Sequence, residues 1–104
     1  MNLSGHKVLP SKIDEVVARC AGVKEASAFA FRRAGLDRCG IAVVALDGFD
    51  ETVVREAAAT LLMKGQRIEV TIVDHLPRND NGKVERLTLR TIMEERQGRK
   101  ASAV

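Results

Sequence analysis

The sequence has no tryptophan and no tyrosine, and aromatic residues make up only 3% of it. The lack of flat aromatic faces argues against a base-stacking platform for single-stranded nucleic acid. There are two cysteines, Cys20 and Cys39, and they form neither a CxxC pair nor any metal-ligand spacing. They read as reduced thiols of a cytoplasmic protein, with Cys20 continuing an apolar helix face, and no metal site is expected. No apolar run reaches the roughly 18 residues a membrane span needs. The opening Met1-Asn2-Leu3-Ser4-Gly5-His6 has neither the basic start nor the apolar core of a signal peptide. No internal repeat is present.

The 104 residues are 45% apolar, mostly Val, Ala, Leu and Ile, which is enough for one modest core in one domain. The net charge of +3 is spread along the sequence, with its densest basic stretch at Arg96, Arg99 and Lys100. That charge alone would suit a small basic nucleic-acid binder, but a solvated surface accounts for it, and no nucleic-acid partner is expected.

Hydrophobic spacing predicts the elements. Pro10 and Ser11 open a helix, Ser11 as cap and Asp14 and Glu15 in the first turn. Ile13, Val16, Val17 and Cys20 share one face, and Gly22 stops the helix. The runs Ala26 to Phe31 and Gly40 to Leu46 read as an antiparallel hairpin with a polar turn over Arg32 to Asp37. Asp50 caps a helix over about 51–64 with a buried stripe of Val53, Val54, Ala57 and Leu61. Arg67 to Asp74 alternates as a half-buried strand, with Ile68, Val70 and Ile72 on one side. A last helix over about 86–96 carries Leu89, Ile92 and Met93. The expected fold is α+β: a three-stranded antiparallel-type sheet packed with about three helices. The domain is expected over residues 1–97, with 98–104 as a disordered tail.

One segment carries chemistry: Leu76-Pro77-Arg78-Asn79-Asp80-Asn81-Gly82-Lys83-Val84-Glu85-Arg86. Asn-Gly is a strong tight-turn signal, and Gly82 permits a left-handed backbone. Lys83 therefore sits at a polar tip, a mobile ammonium on a stiff mount. From these residues alone, both a solvated hairpin lysine and a lysine that enters another domain's cleft remain open.

The same segment is similar to the last signature motif of the adenylate-forming (AMP-binding) superfamily, through Leu76, Pro77, Gly82, Lys83, Val84 and Arg86. Asn2-Leu3-Ser4-Gly5-His6-Lys7-Val8, followed by Pro10 and Ile13, resembles the stretch after the interdomain hinge of acyl-CoA synthetases. Ala21-Gly22-Val23-Lys24-Glu25-Ala26 resembles the family's Pro-Gly-Val-x-Glu-Ala, with Ala21 in place of proline. The three matches lie in the family's order, and the resemblance covers nearly the whole sequence, from about residue 2 to 93.

The resemblance implies the C-terminal domain of an AMP-forming acyl-CoA (acid–thiol) ligase. Lys83 would be the adenylation lysine, bridging a substrate carboxylate and the α-phosphate of ATP. Gly82 and Arg86 would support its loop or a helix end. Ser4, Gly5, His6 and Lys7 would line the channel for CoA after a domain rotation. The family's phosphate loop, adenine site and Mg²⁺-binding glutamate have no counterpart here. ATP, Mg²⁺ and CoA are thus expected for the complete enzyme and no cofactor for this chain alone. The implied partner is a large N-terminal adenylation domain, in the same polypeptide or a separate one, with a carboxylic acid as substrate. The alternative is a stand-alone, non-catalytic module that binds CoA or a protein partner.

Overall fold

A computed structural model describes residues 1–3 and 5–102, with side chains to residue 96. Eight elements follow in order: β1 (Asn2–Leu3), β2 (His6–Lys7), α1 (Pro10–Ala18), β3 (Val23–Arg33), β4 (Leu36–Ala45), α2 (Glu51–Ala59), β5 (Ile68–Ile72) and α3 (Arg86–Ser102). α3 continues past Gly98, where the sequence pattern placed the end of the domain; residues 103–104 lie outside the described residues. Among the described residues, no helix is long and apolar enough to cross a membrane.

The main sheet has the order β3-β4-β5, with β3–β4 antiparallel and β4–β5 parallel. The sheet is therefore mixed, which corrects the antiparallel-type expectation. The reason is connectivity. β3 and β4 are joined through the two-residue turn Ala34-Gly35, where both residues have positive φ, as a tight hairpin turn matching the strand twist requires. β4 and β5 are joined through α2, and a helical crossover returns the backbone to the end of the sheet from which β4 began.

Two apolar clusters lie on the two faces of this sheet. Ile13 and Val17 of α1 and Val54 and Ala58 of α2 pack with Ala28, Cys39, Ile41 and Val43. On the other face, Leu89 and Met93 of α3 pack with Phe29, Phe31, Ala42 and Val44. β3 thus alternates its side chains between both cores. Gly40, paired with Phe29 across the hairpin, leaves room for the ring; a methyl group there would run into it.

The stretch before Pro10 is a small hairpin, β1–β2, and Leu3 is a buried core residue while Leu9 is 64% exposed. Several local expectations change. Ser11 does not cap α1: the cap position is Leu9, with Pro10 the first helical residue and no capping bond from a side chain. Asp50 does cap α2, accepting from the Thr52 N–H at 2.9 Å. α2 ends at Ala59, and its buried positions are Val54 and Ala58, one i,i+4 pair. Val53 and Leu61 flank that pair and stay partly exposed. Ile72, at the end of the edge strand β5, is exposed as well, while Val73 turns in toward α3.

Candidate functional site

The Lys83 loop is a short hairpin with both feet in the core. Leu76 is buried, and Val84 packs partly against the same cluster. Between them, Arg78 and Val84 form an isolated antiparallel bridge, and the Glu85 N–H donates to the Pro77 carbonyl at 2.8 Å. The tip closes with Asn79 N–H to Lys83 O and Gly82 N–H to Asn79 O, both 2.9 Å. Gly82 has φ +81°. This is a three-residue loop, a turn followed by a left-handed glycine, and it accounts for glycine immediately before the lysine.

Side chains stiffen this tip further. The Asn79 carboxamide oxygen accepts from the N–H of Asn81 (2.9 Å) and of Lys83 (3.1 Å). Arg78 donates to the Gly82 carbonyl at 2.8 Å and meets the Glu25 carboxylate of β3 at 2.6 Å. The backbone around Lys83 is therefore tied to the sheet, and its exposed side chain projects from a fixed base. Arg78, Asn79 and Glu25 do this work without being singled out by the sequence pattern. Asn79 carried a readable signal, since Asn side chains bond their own backbone in turns. Glu25 lay within a matched motif, but its partner 53 residues away could be found only in three dimensions.

Arg86 lies at the first position of α3 and makes its bonds elsewhere. One guanidinium nitrogen donates to Ser27 Oγ (2.8 Å) and Ala28 O (2.7 Å), and the other meets Asp14 Oδ2 at 3.0 Å. Asp14 Oδ1 in turn accepts from the Ala28 N–H at 2.7 Å. Ser27 is the buried polar side chain of the described core, and Arg86 satisfies it. Arg86 thus fixes the start of α3 against β3 and α1, directly after the Lys83 loop.

A groove of about 490 Å³ lies beside this node, lined among others by Asn2, Gly5, Phe31, Arg86 and Leu87. It brings Gly5 and Arg86 together, and Lys83 is not among its lining residues. Gly5, in the β1–β2 turn, has φ +86° with open space where a Cβ would stand, so a ligand can approach its backbone closely. His6 and Lys7 are exposed on β2; Ser4 lies outside the described residues. No group of three or more His, Cys, Asp and Glu side chains is placed to hold a metal ion among the described residues. Cys39 is buried, and burial first, then the charge of Asp14, pushes its thiol up to about 12, which suits a packing role.

No family model matches the protein. Among characterised proteins it is 30% identical over 88 residues to a 2-succinylbenzoate–CoA ligase of Listeria innocua, a match covering 83% of this chain and 19% of that protein. Among solved structures it resembles apo MatB of Rhodopseudomonas palustris, with 29% identity, a TM-score of 0.74, and coverage of 88% of this chain and 19% of that one. The fold is also that of part of a Mycobacterium tuberculosis fatty acyl CoA synthetase, at 24% identity and a TM-score of 0.73 over the same shares. The protein therefore spans about a fifth of the length of these relatives, the part that forms the C-terminal domain of a larger polypeptide.

Proposed function

The protein belongs with the C-terminal domains of adenylate-forming acyl-CoA synthetases, and from that premise we propose that it supplies the adenylation lysine to a large ATP-binding domain. The observation that carries this reading is the Lys83 hairpin, in which the N–H and carbonyl of both Gly82 and Lys83 are hydrogen-bonded while the lysine side chain is left exposed. A preorganised cation of this kind can enter a cleft and meet a carboxylate and a phosphate as charge shifts between them, without reorganising first. In that role Lys83 holds the substrate carboxylate against the α-phosphate of ATP. A carboxylic acid is the acyl substrate, and the ATP and Mg²⁺ sites belong to the large domain.

Gly5, His6 and Lys7 fit the thiol side of the reaction. The open left-handed Gly5 gives a narrow ligand arm such as CoA's access to the backbone, and Lys7 offers a cation to a phosphate. ATP and CoA as co-substrates accord with a cytoplasmic location.

The test supplies a cognate large adenylation domain and measures carboxylate-dependent ATP–pyrophosphate exchange. Adding this protein is expected to raise exchange above the large domain alone. Lys83→Ala is expected to abolish that gain while sparing thioester formation from a supplied acyl-adenylate. Equal loss of both half-reactions would remove the special role of Lys83. No gain at all would leave a binding module as the better description.

A further inference from the structure

The protein has three asparagines, and their surroundings differ. The Asn2 carboxamide accepts from the Gly5 N–H at 3.0 Å, and that of Asn79 accepts from Asn81 and Lys83. The Asn81 carboxamide is exposed and makes no hydrogen bond among the described residues. It is also the one asparagine followed by glycine, so no side chain shields the next backbone nitrogen. Nothing lies within 4 Å of the place a Gly82 Cβ would take.

We propose that Asn81 is a site of spontaneous deamidation, gated by the turn that positions Lys83. The Gly82 amide nitrogen, having lost its proton to solvent base, attacks the carboxamide carbon of Asn81. The new N–C bond forms as the bond from that carbon to the carboxamide nitrogen breaks, and ammonia leaves. Water then opens the resulting succinimide at either carbonyl, giving aspartate or isoaspartate at position 81. The folded turn opposes the first step, because the Gly82 N–H is held by the Asn79 carbonyl at 2.9 Å. The Asn79 carboxamide braces that arrangement from the other side. Attack therefore waits for the turn to open, and Asn79 sets how often it does.

The product matters because of where it falls. Isoaspartate adds one methylene to the backbone between residues 81 and 82. The three-residue loop can then no longer satisfy both Gly82 N–H to Asn79 O and Asn79 N–H to Lys83 O, and Lys83 loses its mount. The modification itself stands independently of the proposed adenylation role; only its effect on activity rests on that reading.

The protein is incubated at mildly alkaline pH beside a synthetic peptide of residues 76–86, and both are mapped by mass spectrometry. Conversion is expected at Asn81 and not at Asn2 or Asn79, more slowly in the folded protein than in the peptide. Asn79→Ala is expected to raise the rate several-fold, and Asn79→Asp, which keeps the acceptor, to stay near the parent. An intact Asn81 when the peptide has fully converted, equal conversion at the other asparagines, or no acceleration in a folded Asn79→Ala protein would each overturn the proposal. The parent-against-peptide comparison needs no variant, so a misfolded Asn79→Ala protein leaves the test in place. In the exchange assay, full activity of the isoaspartyl form would overturn the coupling to Lys83. Absence of exchange in fresh protein would count instead against the adenylation role.

Discussion

The Glu25 carboxylate and the Arg78 guanidinium meet at 2.6 Å and join the start of β3 to the hairpin that carries Lys83. Both side chains are well exposed, so the pair adds little to global stability, on the order of 1 kcal/mol or less. Its effect is on placement, because the same guanidinium holds the Gly82 carbonyl.

Glu25→Gln and Arg78→Ala are therefore expected to leave the denaturation midpoint nearly unchanged and to lower ATP–pyrophosphate exchange by roughly 10- to 100-fold. Thioester formation from a supplied adenylate should be spared. A loss of stability that matched the loss of exchange would show that the pair supports the fold and not the lysine.

Arg86 is expected to behave the other way. Its removal leaves Ser27 buried without its partner and Asp14 without its counter-ion, so Arg86→Ala should cost about 2–3 kcal/mol of unfolding free energy. Arg86→Lys should recover little, because one ammonium cannot reach Ser27, Ala28 and Asp14 in the geometry of a planar fork. Urea unfolding of the two variants measures this directly, and a fully stable lysine variant would contradict it.

Cys39 predicts a pH dependence. Its thiol is raised from 9.0 to about 12 in the folded protein, first by burial and then by Asp14. Between those values the unfolded state gives up a proton that the folded state keeps, so stability is full below pH 9 and falls as pH rises toward 12. The contribution is at most about 1.4 kcal/mol per pH unit. A Cys39→Ala protein starts less stable because of the cavity, but its unfolding free energy should fall less steeply as pH rises from 9.0 toward about 12. Parallel curves for the two proteins would mean that Cys39 does not titrate in this way.

Much of this protein could be read along its sequence. The Asp50 cap, the Ile13–Val17 face, the β3–β4 hairpin and the turn at Gly82 rest on local periodicity and backbone freedom, which act over a few residues. Motif resemblance then implied the role proposed above for Lys83, which the turn alone left open. Other features were misread for a common reason. Val53 and Leu61 have the same apolar character as Val54 and Ala58, and only the seating of α2 on the sheet selects which pair is covered. Asp14, expected in the first turn, lies beyond it because α1 starts at Pro10, and its carboxylate bonds to Ala28 and Arg86.

The sequence by itself determined the types of the six elements from α1 to α3, the tight turn before Lys83 and the position of the lysine directly after it, because these depend on neighbours within one turn of backbone. The tertiary structure decided the rest. It set β5 parallel to β4, since strand direction follows where α2 delivers the backbone. It also brought Glu25 to Arg78 and Asp14 to Arg86, ion pairs between segments 53 and 72 residues apart that exist only once the two faces of the sheet are packed.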